Sequence, residues 1–328
     1  MMLDALAPAV APLYRRVRRL KNRGLNLVDP PVVVLAYHRV TQLPADPHQI
    51  TVTPDNFRAH MLHLRQNCRC LPLDEDWSGQ REPAVAVTFD DGYADNLHQA
   101  LPILEDLGVP ATFFISTGML GSDGEFWSDE LEHLALGMGD YHPCLTLQDR
   151  EYGHSWPSAS LAERLLLHDR LHPLMLKIGP QRREDWLMQF RRWAGVGQSA
   201  RDAYRSLNRE ELRTLAASPW VTIGAHGMTH TPLAVLAEEA QRQEISGSKR
   251  ELEELLGQQV TVFAYPFGGR GQYDGTTRRL CREAGFRRAA TTLPGQVHRW
   301  TDPWQLPRQL VRDWDAQTFA ARLEGFWA

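Results

Sequence analysis

Predominantly apolar runs alternate with amphipathic segments along the first third of the chain. Residues 32–37, 84–89 and 111–115 form such runs, which are typical of strands covered on both faces. Between them, residues 55–64 and 97–107 carry apolar side chains at helical spacing. The order strand, helix, strand, helix, strand predicts a parallel sheet of the α/β class.

The same order returns in the second half of the chain. Further strands are predicted at residues 220–225, 260–265 and 287–292, and further helices at residues 238–256, 276–284 and 316–326. The strands are therefore expected to number about six or seven and to be mostly parallel.

A long segment at about residues 121–215 interrupts this order. Residues 162–176 and 183–193 look helical and are rich in Trp and Arg, and no strand is predicted in the segment. We interpret it as an insertion in a βα connection that packs as a helical cap, with a separate small domain as the alternative. Residues 1–30 are expected to form a basic helical extension, and residues 31–328 the main domain.

Composition and charge narrow the class of protein. A chain of 328 residues with 43% hydrophobic residues can bury a large core, and its net charge of −4 gives no reason to expect a nucleic-acid partner. Four cysteines, interpreted as reduced thiols, and the lack of a secretory signal pattern favour a cytoplasmic protein. The basic run at residues 15–21 leaves open a weak peripheral contact with the inner membrane face, although a solvated helix is favoured.

Polar side chains recur where the predicted strands end. His38, Asp90 with Asp91, and His226 each follow an apolar run, as does the Pro266-Phe267 turn. In parallel α/β sheets and barrels, the carboxyl ends of the strands form the face where sites are built. These residues are therefore expected to lie at one face of the molecule.

Asp91, His226 and His230 are the candidate metal ligands. One carboxylate and two imidazoles make an open three-ligand site, and histidines four residues apart face the same way on a helical turn. The alternative is that Asp91 caps a helix and that the histidines are ordinary surface residues.

Three more groups complete a hydrolytic site. Asp90 is the candidate general base, because a carboxylate beside the metal can accept a proton from the attacking water. His38 is the candidate general acid. The backbone N–H of Phe267 is a candidate donor to the oxyanion of a tetrahedral intermediate. Turn formation by Asp90, a structural hydrogen bond of His38 and an ordinary turn at Phe267 are the alternatives.

These segments together resemble the polysaccharide deacetylases, the NodB-homology or carbohydrate esterase family 4 group. Residues 88–92 (Thr-Phe-Asp-Asp-Gly), 226–230 (His-Gly-Met-Thr-His) and 264–268 (Ala-Tyr-Pro-Phe-Gly) look like the first three family motifs. The resemblance covers residues 32–118 and 221–308. It implies a distorted (β/α)7 barrel, a divalent metal that is usually zinc although cobalt or nickel can serve, and removal of acetyl from an N-acetylated saccharide.

The resemblance also implies roles for individual residues and reveals departures. The third motif of the family usually has Arg where this chain has Ala264, and Arg308 is the candidate replacement that orients the base. The family's closing motif, a strand ending in a catalytic His, is similar to residues 33–38 moved to the front, which suggests a permuted subgroup. The fourth motif has no clear counterpart, although Asp313-Trp314 has its letters.

Two other classes of function remain open at this point. Two His and one carboxylate also bind Fe(II) in non-haem oxygenases. A catalytically inactive metal- or sugar-binding protein is the second alternative, and the missing Arg at Ala264 is its only support. A hydrolase that acts on a non-sugar amide is a further possibility within the enzyme class.

Overall fold

The computed structural model describes residues 22, 24–77, 79–137, 141–149, 153–197 and 200–328. The strands are β1 Val32–Tyr37, β2 Arg39–Val40, β3 Thr51–Val52, β4 Arg69–Cys70, β5 Ala84–Phe89, β6 Ala111–Ile115, β7 Cys144–Gln148, β8 Gly153–Pro157, β9 Val221–Ala225, β10 Val262–Ala264, β11 Arg288–Ala290 and β12 Gln309–Leu310. The α-helices are α1 Pro54–Asn67, α2 Leu101–Leu107, α3 Trp127–Leu136, α4 Leu161–Met175, α5 Pro180–Ala194, α6 Arg209–Ala216, α7 Glu238–Leu256, α8 Gly275–Glu283 and α9 Ala316–Trp327.

Eight of the strands form one sheet in which all described pairings between strands are parallel. The order along the sheet is β11-β10-β9-β6-β5-β1-β12, and β4 pairs with the start of β5. Leu306 forms a parallel bridge to Ala290 of β11, and β12 pairs with β1. Residues 306–310 thus join the two edges, and the expected distorted (β/α)7 barrel is confirmed.

The central strands β1, β5 and β6 are buried on both faces, which explains their predominantly apolar sequences. In β1, Val33, Leu35 and Tyr37 pack into the core between the sheet and the helices. Val32 and Val34 point the other way, into the barrel interior. Successive side chains of a strand alternate between its faces, so a strand in this position needs an apolar residue at every position.

The predicted bounds hold best where a strand is central. β1, β5 and β6 begin and end at the predicted residues. The predicted helix at 97–107 begins as a π-helical turn, Asn96–Ala100, continues as α2 and ends at Gly108 with φ of +61°. That left-handed conformation is readily accessible to glycine, which explains the sharp stop.

The inserted region contains a β-hairpin, so the prediction that it has no strand is wrong. β7 and β8 pair antiparallel, with Leu145, Leu147 and Trp156 buried and their neighbours more exposed. The hairpin packs with α3, α4 and α5 around a hydrophobic cluster that is separate from the barrel core. We call these three helices and the hairpin the cap. The following helix α6 packs on the barrel through Leu212 and Leu215.

The described N-terminal residues pack near the C-terminus. The side-chain amides of Asn22 and Asn26 donate hydrogen bonds to the carbonyls of Ala328 and Trp327. The basic run at residues 15–21 lies outside the described residues. Within the part of the chain that the structure describes, no helix combines the length and hydropathy needed to cross a bilayer.

Candidate active site

The ends of β5 and β9 bring the three candidate metal ligands together. Asp91 follows β5, and His226 and His230 follow β9. The Nε2 atoms of His226 and His230 lie 3.3 and 3.0 Å from Oδ1 of Asp91. All three side chains are buried. Their ligand atoms lie within 4.8 Å of one another, and no other group of three or more such side chains does so in the described ranges.

These three residues fit a divalent metal ion. Two ligands that are each 2.0–2.1 Å from a tetrahedral ion lie about 3.3 Å apart, close to the separations found here. Oδ1 of Asp91 is buried and accepts no hydrogen bond from the described residues. A buried acceptor without a partner is unfavourable, and a cation at this point would satisfy it. The mixed carboxylate and imidazole donors suit Zn²⁺ and its first-row neighbours.

Neighbouring groups orient the ligands. Nδ1 of His226 donates to the carbonyl of Ala264 at 2.8 Å, which leaves the lone pair of Nε2 facing Asp91. Glu244 of α7 accepts hydrogen bonds from the backbone N–H groups of Met228 and Thr229 and from the Thr229 hydroxyl. Glu244 therefore holds the loop between the two histidines. Glu244 is not among the predicted site residues, because it is one of several glutamates in the helix predicted at residues 238–256.

Arg308 clamps Asp90. Its two terminal nitrogens each lie 2.7 Å from one carboxylate oxygen of Asp90, and both side chains are almost fully buried. Nε of Arg308 donates to the carbonyl of Thr291, so the guanidinium is fixed. Burial is the largest single influence and would raise the pKa of Asp90, but the charge and hydrogen bonds of Arg308, together with the charges of His226 and His38, outweigh it and the pKa lies below its ordinary value. The carboxylate of Asp90, the candidate base, is thus held ionised and in one orientation.

His38 lies beside the same carboxylate. Its Nε2 is 3.9 Å from Oδ2 of Asp90, and its side chain is 15% exposed. The carbonyl of His38 accepts a hydrogen bond from Asn96, and the next residue, Arg39, is bound through its guanidinium to Asp95. These contacts fix the end of β1 and hold His38 at the site.

Phe267 contacts both a candidate metal ligand and the cap. Its ring centroid is 4.6 Å from that of His230. Its carbonyl accepts a hydrogen bond from the Thr292 hydroxyl, whereas its N–H has no hydrogen-bond acceptor among the residues that the structure describes. An N–H left free at the end of a strand suits the binding of an oxyanion.

Three residues of this site have left-handed backbone conformations. The φ angles of Asp91, His230 and Phe267 are +75°, +50° and +61°. Such angles are uncommon outside glycine and occur often at functional sites. Only one other described residue that is not glycine, Gln49, has a positive φ.

The structure brings together all seven candidate residues, namely His38, Asp90, Asp91, His226, His230, Phe267 and Arg308.

Asp313 lies elsewhere. Its Oδ1 accepts hydrogen bonds from the backbone and hydroxyl of Thr53 and from Asn56, at the start of α1. It therefore stabilises the beginning of a helix. The letters of the fourth motif at this position do not contribute a side chain to the site.

Comparison with known proteins agrees with the motifs. A family model described as polysaccharide deacetylase matches residues 78–138 and 192–289. A curated relative from Bacillus subtilis strain 168, named as a putative polysaccharide deacetylase, is 22% identical over 286 residues, which are 85% of this chain and 70% of that protein. The gap in the family match, residues 139–191, falls in the cap.

Solved structures show the same fold. A Streptococcus pyogenes deacetylase in complex with acetate has a TM-score of 0.58 at 16% identity and covers 89% of this chain and 98% of its own. IcaB from Ammonifex degensii has a TM-score of 0.56 at 19% identity, and the match covers 92% of this chain and 98% of that protein. With its sequence motifs, its barrel and its family match, the chain belongs to the polysaccharide deacetylase family.

Proposed function

We propose that this protein is a metal-dependent hydrolase that removes the acetyl group from an N-acetylated saccharide, with zinc as the metal and cobalt or nickel as substitutes. The observation that carries the proposal is the pair of adjacent carboxylates after β5. Asp91 faces two imidazoles, while Asp90 is held by Arg308. One carboxylate is thus placed for metal binding and its neighbour for proton transfer.

A divalent ion held by Asp91, His226 and His230 would supply an acidified water and a Lewis acid for the acyl oxygen. The protein groups do the rest. Asp90 accepts the proton of the attacking water, and Arg308 keeps it unprotonated and correctly oriented until then. The N–H of Phe267 donates to the oxyanion of the tetrahedral intermediate.

His38 completes the reaction. Cleavage of an amide requires a proton on the leaving nitrogen, and His38 is the partly exposed acid next to Asp90. Its place at the end of β1, ahead of the other motifs in the chain, supports a permuted motif order. Membership of a permuted subgroup stays a prediction.

The hydrolase explains the site better than the two alternatives. A non-haem iron oxygenase needs the three ligands but has no use for a second carboxylate clamped by a buried arginine. A catalytically inactive binding protein was suggested by the absence of Arg at position 264. Arg308 lies in the segment of residues 306–310 that joins the two edges of the sheet. From there it binds Asp90 and supplies that cation.

The test is acetate release from N-acetylated sugars, supplied free, nucleotide-linked and as oligomers. Wild type, Asp90→Asn and Asp91→Asn are compared after chelation and after addition of zinc. We expect zinc-dependent release by wild type, and a loss of at least about 10³-fold in each variant, since each removes a group required in the transition state. Asp91→Asn should also lose bound metal, whereas Asp90→Asn should retain it.

The control is Asp106→Asn, which changes an exposed carboxylate of α2 that pairs with Arg58. It should retain both metal and activity. Release that persists after complete removal of metal, or a zinc-loaded protein that releases no acetate from any member of the panel, would overturn the proposal.

A further inference from the structure

Three histidines meet where the cap contacts the barrel. His48 lies in the loop of residues 41–50 between β2 and β3, and His168 and His172 lie one turn apart on α4. The ring centroid of His48 is 5.3 Å from that of His168 and 4.5 Å from that of His172. We call the contact between this loop and α4 the seam.

The seam continues an aromatic wall that begins at the metal ligands. His172 stacks on Trp127 with a centroid distance of 5.1 Å, and Trp127 lies 5.7 Å from Phe267. The Phe267 ring in turn contacts His230. The seam is therefore adjacent to the site at which we place the acetylated sugar.

Polar atoms of the seam lack partners. Nε2 of His48, Nε2 of His168 and Nε1 of Trp127 are buried and make no hydrogen bond to the described residues. The whole His168 side chain is only 3% exposed. Each buried polar group without a partner costs about 1–3 kcal/mol. A closed seam is thus unfavourable for these groups, and a ligand or solvent that pairs with them would stabilise an open one.

The chemistry of the seam suits hydroxyl groups better than charged groups. Burial lowers the pKa of His48 to about 4 and that of His172 to about 3, so both are neutral at physiological pH. The nearby guanidinium of Arg183 already donates to the carbonyls of Met175 and Ile178 and to Thr231. Neutral imidazole nitrogens remain, which can donate to or accept from a sugar hydroxyl, together with the indole N–H, which can only donate.

We propose that the seam is a second saccharide subsite, which opens when the cap moves away from the loop of residues 41–50 and binds the sugar next to the one that is deacetylated. This inference rests on the proposed function and assigns a place on this chain, between His48 and His168, for the neighbouring sugar. The cap has its own hydrophobic core, so its internal packing does not depend on contact with the loop. His168 and His172 lie in the stretch that the family model does not match, so the subsite belongs to this chain's cap.

The experiment measures binding in an Asp90→Asn background that retains zinc. Calorimetry gives the affinity for N-acetylglucosamine, its β-1,4-linked disaccharide and trisaccharide, and UDP-N-acetylglucosamine. Two new hydrogen bonds of ordinary strength are worth roughly tenfold in affinity, so we expect the disaccharide to bind about tenfold more tightly than the monosaccharide. His168→Phe should bring this ratio close to one.

His154→Phe is the matched control, because His154 is a cap histidine that stacks on Trp156 of the hairpin. It should keep the tenfold ratio. His48→Leu tests the barrel side of the seam in case His168→Phe does not fold, as judged by thermal unfolding. Three results would overturn the subsite. They are equal binding of the monosaccharide and the disaccharide, an affinity ratio that is unchanged in both His168→Phe and His48→Leu, and tightest binding of UDP-N-acetylglucosamine. Absence of acetate release from every sugar by wild type would instead overturn the proposed function.

Discussion

β1 and β5 of the barrel are buried on both faces, whereas β7 and β8 of the cap have one buried and one more exposed face. The barrel supplies the candidate metal ligands, the proposed base and its arginine from the ends of its strands and the segments that follow them. The cap supplies a second hydrophobic core and, through Trp127 and His172, a wall beside the metal ligands. Changes in the barrel should therefore affect the chemical step, and changes in the cap should affect substrate binding and local stability.

The barrel and the cap each contain a buried arginine, and the two arginines bind different kinds of group. Arg308 in the barrel binds the carboxylate proposed as the base. Arg183 in the cap binds two carbonyls of its own region and the hydroxyl of Thr231, close to a metal ligand. The first cation sets the protonation of a reacting group, while the second attaches the cap to the barrel.

Replacement of Arg308 should have the largest effect. In Arg308→Met, burial is no longer opposed by the guanidinium, so the pKa of Asp90 should rise. Because Asp90 acts unprotonated, the acid limb of the pH profile of kcat/KM should move to higher pH, and kcat/KM at pH 7 should fall about 10²-fold or more. Leaving a buried carboxylate without its partner should also lower the free energy of unfolding by about 3–5 kcal/mol.

The sign of the stability change is checked by its pH dependence. A carboxyl with a lowered pKa in the folded state stabilises it above the pKa of the unfolded chain, and this stabilisation is lost as pH falls. The loss on replacing Arg308 should therefore be larger at pH 7 than at pH 3. Arg308→Lys keeps the charge without the bidentate geometry. Its kcat/KM and its free energy of unfolding should therefore lie between those of wild type and Arg308→Met. An unmoved acid limb in Arg308→Met would exclude this role.

Replacement of Arg183 should have a smaller and more local effect. Arg183→Met leaves the carbonyls of Met175 and Ile178 without their donor, and we expect a loss of about 2–3 kcal/mol. Hydrogen exchange should speed up in α3, α4 and α5 while the barrel strands stay protected. The adjacent Arg182→Met, which changes an exposed side chain paired with Asp149, is the control. Equal loss of protection in barrel and cap would show that the two unfold together.

Asp129 should give the smallest effect. It lies in α3 and accepts a hydrogen bond from Tyr93 of the barrel. Burial raises its pKa to about 7, with Glu125 and Asp91 contributing and Arg39 opposing. A carboxyl with a raised pKa destabilises the folded state as pH rises between about 4 and 7. Asp129→Asn should remove this decline in the free energy of unfolding, which amounts to about 2 kcal/mol between pH 5 and 7.5. Chemical unfolding at several pH values measures it. An identical pH dependence in wild type and Asp129→Asn would contradict the assignment.

Most of the barrel could be predicted because its strands must be apolar at every position. β1, β5 and β6 were bounded correctly for that reason. β4 and β12 are too short, at two residues each, to produce a recognisable pattern. The hairpin was missed because β8 buries a single large apolar side chain, Trp156, among polar neighbours.

The candidate site was predictable where its residues adjoin strands. His38, Asp91 and His226 follow apolar runs, so their common face could be inferred. Arg308 was suggested only by the family resemblance, since the pairing that carries it to Asp90 is long-range. Glu244 gave no signal, because a glutamate on an amphipathic helix has the same sequence pattern whether it faces solvent or a loop.

The salt bridge between Asp90 and Arg308 joins residues that are 218 positions apart. The ribosome extends a chain by roughly 5–20 residues each second, so a nascent chain carries Asp90 for some ten seconds or more before Arg308 is added. During that interval the carboxylate lacks the cation that fixes it, and the edges of the sheet are not yet joined. The proposed site is therefore completed late in biosynthesis, and a ribosome-bound or prematurely terminated chain would carry the candidate metal ligands and Asp90 without the cation that orients this carboxylate.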